Sequence, residues 1–266
     1  MKKQKLFIIK IGGNVINDEQ KLGKFLESFS LIEGKKMLVH GGGKVLNELA
    51  EKTGITQEMV NGRRVTDGET LKLATMVYAG LINKNIVAQL QFMQINAIGL
   101  SGADGNCITT VKRKNLETDF GFVGDINEES VNTGFLSILL KENIVPVICS
   151  ITHNGNGQLL NTNADTISAA LAISFGNEFD VHLNYCFEKK GVLKNQDDES
   201  TLLDSISIAE YEQLLQDGIV SDGMIPKLEN AFDAIRNGVN AVVIGHADEL
   251  INTINKRKNA GTYLGK

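Results

Sequence analysis

The sequence predicts an α/β protein built on a mostly parallel central sheet with helices on both faces. Two apolar runs of strand length lead straight into glycines, at Phe7-Ile8-Ile9-Lys10-Ile11-Gly12-Gly13 and at Lys36-Met37-Leu38-Val39-His40-Gly41-Gly42-Gly43. Each is followed by a stretch of helical period. Strand, glycine turn and helix in alternation imply parallel neighbouring strands with helices packed across them.

The elements follow in order. Asp18 is typed to cap a helix whose stripe Leu22, Phe25, Leu26 and Phe29 falls on one face, and Gly34 stops it. After the second glycine turn, Val45, Leu46, Leu49 and Ala50 point inward from a helix ended by Gly54. Met59 to Thr66 reads as two short extended pieces around the hairpin signal Asn61-Gly62. Asp67 caps a long helical region reaching about Gln94, with a break expected near Gly80. Ala97 to Leu100 is a buried strand, and Cys107 to Asp125 reads as β-hairpins at the sheet margin. A helix over Ser130–Lys141 leads into the strand Ile144–Ile148, a turn at His153–Gly157, and a helix entered at Asn163. A boundary falls near Gly176-Asn177, dividing the chain into lobes 1–176 and 177–266. The second lobe carries a strand at Asp180–Asn184, a charged loop at Lys194–Ser200 and a helix at Ser207–Gln216. It continues with a helix bearing Leu228, Ala231, Phe232 and Ile235, then strands at Asn240–Ile244 and Gly261–Leu264.

With 266 residues, 42% of them hydrophobic and 22% charged, the chain has material for one large core or two lobes. A net charge of −5 argues against general nucleic-acid binding. Cys107, Cys149 and Cys186 lie far apart, and His40, His153, His182 and His246 lack metal-ligand spacing. Neither a disulfide framework nor a protein-held metal is expected, and a reducing cytoplasm is the expected setting. The apolar run after the basic start is interrupted at Lys10, and no span of ~20 apolar residues follows, so no membrane partner is expected.

The chemistry narrows by elimination. No G-x-x-x-x-G-K-[ST] occurs, and Gly41-Gly42-Gly43-Lys44-Val45-Leu46 fails G-x-G-x-x-G at its last position. His40-Gly41-Gly42-Gly43 has the form of an esterase oxyanion turn, and Gly99-Leu100-Ser101-Gly102-Ala103 nearly matches G-x-S-x-G. A nucleophile elbow must feed a helix, however, and Gly102-Ala103-Asp104-Gly105-Asn106 has a loop's composition. Phosphoryl transfer uses every feature. Two glycine turns supply main-chain donors, while Lys10 and Lys227 supply positive charge. Asp165, at a helix start beside Asn161 and Asn163, is typed to hold the lysines.

Five stretches together resemble the amino-acid kinase superfamily and, within it, the acetylglutamate kinase branch. They are Ile9-Lys10-Ile11-Gly12-Gly13, Val39-His40-Gly41-Gly42-Gly43, Asn61-Gly62-Arg63-Arg64-Val65-Thr66, Leu160-Asn161-Thr162-Asn163-Ala164-Asp165 and Asp222-Gly223-Met224-Ile225-Pro226-Lys227, in family order across nearly the whole chain. The resemblance implies a three-layer α/β/α open sandwich with an N-acylglutamate lobe first and a nucleotide lobe second. It implies ATP, bringing Mg²⁺, as the phosphoryl donor to a substrate γ-carboxylate in arginine biosynthesis. It also assigns roles. Lys10 and Lys227 stabilise the transferring group and Asp165 orients them. Gly12, Gly13, Gly41, Gly42 and Gly43 donate N–H groups, Arg64 grips the substrate α-carboxylate, and Asn161 and Asn163 bind substrate. Glu188, Gly191, Asp222, Gly223 and Met224 meet the nucleotide. A regulator that had lost catalysis would lack one of Lys10, Asp165 or Lys227, and all are present.

Two departures stand out. The family's (Ser/Thr)-Asp-Val-x-Gly segment is replaced by Tyr185-Cys186-Phe187-Glu188-Lys189-Lys190-Gly191-Val192-Leu193, with Glu188 the candidate substitute for the aspartate. Arg63 stands where the branch commonly has leucine, and is read as reaching the acyl end of the substrate and pairing with a second carboxylate there, as in N-succinylglutamate. Arginine-inhibited hexameric relatives carry an extra N-terminal helix; with only residues 1–5 ahead of the first strand, a homodimer without arginine feedback is expected.

Overall fold

The structure, a computed structural model, describes residues 3–60, 62–114, 117–195, 198–220 and 224–265. Its first half runs β1 (Lys5–Ile11), α1 (Gly13–Ile16), α2 (Glu19–Ser30), β2 (Lys35–His40), α3 (Gly43–Thr53), β3 (Met59–Val60), β4 (Arg63–Arg64), α4 (Gly68–Thr75), a π-helical segment (Met76–Ile82), α5 (Asn83–Phe92) and β5 (Ala97–Leu100). There follow β6 (Val111–Lys112), β7 (Gly124–Asp125), α6 (Thr133–Lys141), β8 (Val145–Cys149), β9 (Ile151–His153), β10 (Leu159–Asn161), α7 (Ala164–Phe175) and β11 (Asp180–Phe187). The chain closes with β12 (Ser205–Ser207), α8 (Ile208–Gln216), α9 (Ile225–Arg236), β13 (Ala241–His246), α10 (Leu250–Ile254) and β14 (Gly261–Gly265).

One eight-stranded sheet takes the order β12-β14-β13-β11-β1-β2-β8-β5, and its pairs are parallel except β13 with β14. Side chains alternate across it. Leu6 and Ile8 of β1, Met37 and Val39 of β2, and Leu183 and Tyr185 of β11 pack under α6, α7, α8 and α9. Phe7, Ile9, Ile11 and Leu38 pack under α1 to α5 and α10. Continuous apolar runs thus serve two cores, as buried parallel strands require. The chain leaves β1 toward β2 on one side and returns as β11 on the other, pairing along the whole of β1. The crevice at the C-terminal end of β1 is therefore a topological switch point, where open α/β sheets bind ligands.

The caps behave as their residue types require. Asp18 accepts from the N–H groups of Gln20 and Lys21, Asp67 from Thr70, and Ser207 with Glu210 forms a capping box. Gly54 closes α3 in the left-handed conformation. The break expected near Gly80 is absent: the helix passes through that glycine as a π segment, and α4 and α5 stay continuous. Among the described residues, the Cys107–Asp125 region forms one two-residue antiparallel pair, β6 with β7, in a sheet of its own, with single bridges from Ile108, Thr109, Gly121 and Val123 to Val131, His153, Thr66 and Asn161. Among the described residues no helix is long and apolar enough to cross a membrane.

Candidate active site

Lys10 lies in the same row of β1 as Leu6 and Ile8, so the pleat turns it under α7 and α9 at the strand's C-terminal end. There its Nζ lies 2.8 Å from Asp165 Oδ1, both side chains being largely buried. The contact is a close charge pair rather than an aligned hydrogen bond. Asn163 caps α7, its Oδ1 accepting from the N–H groups of Asp165 and Thr166, which sets Asp165 in the first turn. Lys227 enters from the first turn of α9. Burial pushes its ammonium below the usual lysine range, and Lys10 does so further, while Asp165 and Glu188 oppose the shift. Lys10, Asp165 and Lys227, distant in sequence, thus meet at the switch point.

The two glycine turns flank them. Gly12 caps α1, and its N–H is spent on the Cys186 carbonyl at 2.9 Å. This bond takes up the N–H that Gly12 was expected to offer to phosphate and ties the turn to β11; Gly13 stands at the first position of α1. At the second turn, Gly42 has φ 154°, and a Cβ there would lie 2.2 Å from Ile82 Cδ1 and 3.0 Å from Tyr78 Cδ1. No other residue fits. Gly41 faces Ser150 and Ala164 across van der Waals distance, and Gly43 opens α3 beside Arg64.

Behind this turn lies a polar network that the sequence did not reveal. Buried His40 sets Nδ1 2.8 Å from the Gly41 carbonyl and Nε2 3.0 Å from Asn83 Nδ2. Asn83 Nδ2 also donates to the Val147 carbonyl, and its Oδ1 accepts from Lys84. These partners assign the proton to Nδ1, and burial pushes the imidazole pKa down to about 4. Neutral His40 therefore holds the Gly41 carbonyl in place. Ser101, the other half of the esterase motif, donates its hydroxyl to Asp104 and is followed by the short 3₁₀ turn Asp104–Asn106. No nucleophile elbow forms.

Of the residues expected to bind substrate, Arg64 and Asn161 sit on short antiparallel pairs. Arg64 on β4 donates from Nη2 to the Gly43 carbonyl at 3.3 Å and to Asn47 Oδ1 at 2.6 Å, and from Nη1 to Gln57. Its guanidinium is thus aimed at the second glycine turn. Arg63 is exposed, and strand periodicity turns it to the opposite face of β4, away from that turn. Asn161 on β10 donates to Thr66 Oγ1 at 3.1 Å. Asn163 is occupied as the α7 cap on its oxygen side.

The residues expected to meet the nucleotide divide. Glu188 accepts from Asn14 of α1 and stays within electrostatic reach of Lys227. Met224 caps α9 through its backbone carbonyl. Gly191 instead packs against β14, where a Cβ would lie 2.5 Å from Thr262 Oγ1, so its smallness serves packing rather than ligand contact. Asp222 and Gly223, with Asn61 of the hairpin turn, lie outside the described residues. Sequence reasoning passed over Phe187, whose ring lies beneath both lysines at 4.4 and 4.9 Å. The alternation Leu183, Tyr185, Phe187 was the available signal.

The comparisons agree with this geometry. The sequence profile of the Amino acid kinase family matches residues 5–246. The acetylglutamate kinase of Phocaeicola vulgatus is 52% identical over 264 residues, covering 99% of this chain and 100% of the relative. That of Cytophaga hutchinsonii is 50% identical, covering 98% of each. Among solved structures, smu.665 from Streptococcus mutans superimposes with a TM-score of 0.79 at 25% identity, covering 98% of both chains. With a family match over most of its length and full-length relatives at this identity, the chain belongs to the amino acid kinase family, in its acetylglutamate kinase branch.

Proposed function

We propose that this protein transfers the γ-phosphoryl group of ATP to the side-chain carboxylate of N-acetyl-L-glutamate, an acyl-phosphate-forming step of arginine biosynthesis. The observation that carries the reading is the Lys10–Asp165 pair, set between two glycine turns at the switch point with Lys227 close enough to feel both charges. A glutamate side chain ionises near pH ~4.3, so the nucleophile is a carboxylate at neutral pH and no general base is needed. Catalysis is then positioning plus neutralisation of charge on the transferring group. Lys10 and Lys227 supply the cations and Asp165 holds them, while Gly13, Gly41, Gly42 and Gly43 offer N–H groups. Arg64 meets the substrate α-carboxylate beside the second turn, with Asn161 on the substrate backbone. Mg²⁺ enters on the nucleotide phosphates. Residues 1–176 form the acylglutamate lobe and 177–266 the nucleotide lobe, with Glu188 and Met224 on the nucleotide side.

An ATP-dependent hydroxamate assay over a panel of N-acylglutamates tests this directly. Trapped acyl hydroxamate from N-acetylglutamate is the expected product, and none from any acylglutamate would overturn the reading. The same panel decides the acyl group. N-succinylglutamate is the alternative acceptor, read from Arg63 on the same hairpin as Arg64, although the exposed place of Arg63 on the face of β4 away from the second turn argues against direct contact. A succinyl preference that Arg63→Leu abolishes would establish it, and acetyl preference in both proteins would remove it.

A cytoplasmic homodimer is the assembly we infer. β5 ends the sheet as a short unpaired edge with Ile98 exposed, and Met76 and Leu81 are exposed on the adjoining helix. Hydrogen bonding from i to i+5 in the π segment lines up residues five apart, which puts Met76 and Leu81 over one another. An apolar face beside a free edge suits a second copy of the same surface.

A further inference from the structure

β11 contributes more to the site than the phosphotransfer scheme uses. Tyr185 and Phe187, two residues apart, project from the same face, their rings stacked with centroids 6.3 Å apart and planes 10° from parallel. Tyr185 Oη donates to the Asp165 carbonyl at 3.2 Å. Phe187 lies under the lysines, its ring centroid 4.4 Å from Lys10 Nζ and 4.9 Å from Lys227 Nζ. Gly12 packs closely against the ring, where a Cβ would come within 3.0 Å of Phe187 Cδ1.

Two ammonium groups share this pocket, and the lowering of Lys227 by Lys10 records their repulsion. Asp165 sets one negative charge beside the two lysines, and Glu188 adds a second that acts on Lys227. An aromatic face attracts cations through its quadrupole and carries no net charge. It can therefore gather both lysines in the absence of nucleotide, without competing with phosphoryl oxygens for them as a further carboxylate between them would. We propose that Phe187 is a positioning residue, a cation–π platform that sets the spacing of Lys10 and Lys227 for the transferring phosphoryl group. The role in catalysis rests on the phosphotransfer reading above.

Fluorinated phenylalanines placed at position 187 keep the ring's size while draining its face of negative potential. The expected result is a stepwise fall in kcat with each added fluorine, with unchanged melting temperature and little change in the KM for acylglutamate. Phe187→Leu should lose about tenfold in kcat, the ratio that a desolvated cation–π contact of ordinary strength supplies, and Phe187→Tyr should retain activity. A kcat that ignores fluorination, or Phe187→Leu as active as Phe187→Tyr, would overturn the platform. NMR of the lysine ε-methylenes gives a readout without substrate. Ring-current upfield shifts at Lys10 and Lys227 should appear in the wild type and in Phe187→Tyr and vanish in Phe187→Leu; their absence from the wild type would sink the proposal. If the wild type forms no acyl phosphate, the phosphotransfer reading fails, and the NMR shifts still decide the platform.

Discussion

Lys10 and Asp165 bury opposite charges beside a third, so the cost of breaking the pair belongs to the residue scale. Removing one partner strands a charge that water cannot reach, and Asp165→Leu should destabilise the fold by about 3 kcal/mol in urea denaturation. The double variant Lys10→Met/Asp165→Leu should recover most of that loss. Both should lose at least ~100-fold in kcat, because the charge complement of the transition state is gone. At Arg64, substitution by lysine replaces a planar fork with a point charge. The KM for acylglutamate should rise ~10-fold or more while that for ATP holds, measured by steady-state kinetics. His40 gives a pH signature. Its folded pKa of about 4 lies below the usual 6.5, so between those values the unfolded chain binds the extra proton. Stability is therefore fully present above pH 6.5 and is lost as pH falls toward 4, by about 2 kcal/mol between pH 7 and pH 5 from this group. His40→Asn should flatten the urea-derived stability profile by that amount; an unchanged slope would contradict the assignment.

At the scale of elements, the second glycine turn depends on a helix distant in sequence. Gly42 fits only because Tyr78 and Ile82 of the π segment close over a position without a Cβ. Gly42→Ala meets both the contact and the left-handed backbone, so activity should collapse and the melting temperature should drop by several degrees. Asp18→Ala is the contrasting case. It removes a helix cap that bonds the N–H groups of Gln20 and Lys21 rather than Lys10 or Lys227, and should cost about 1 kcal/mol by urea titration with kcat unchanged. The cap and stripe of α2, and the stripe and glycine stop of α3, were legible in the sequence because each is decided within one or two helical turns. The continuity of α4 with α5 was not. Gly80 weakens a helix locally, but Tyr78 and Ile82 are buried in the core and hold the segment in register from outside.

At the scale of the whole molecule, the β5 edge and the Met76–Leu81 face carry the proposed assembly. Leu81→Glu places a charge at the centre of that face, so light scattering should give a monomer mass where the wild type gives a dimer. The β5 edge is short and Leu81 is 52% exposed in the single chain, so the variant should keep its fold by circular dichroism.

The chain order of strands, glycine turns and helices was determined by the sequence alone, because apolar runs, caps and glycines act over a few residues. The resemblance in five ordered stretches carried the identity of Lys10, Asp165, Lys227 and Arg64. What only tertiary structure decided was which atoms meet. Gly12 gives its N–H to β11, and Gly191 packs on β14. Phe187 comes to lie beneath both lysines because β11 pairs with β1. Each depends on contacts between segments far apart in the chain, and no local periodicity encodes those.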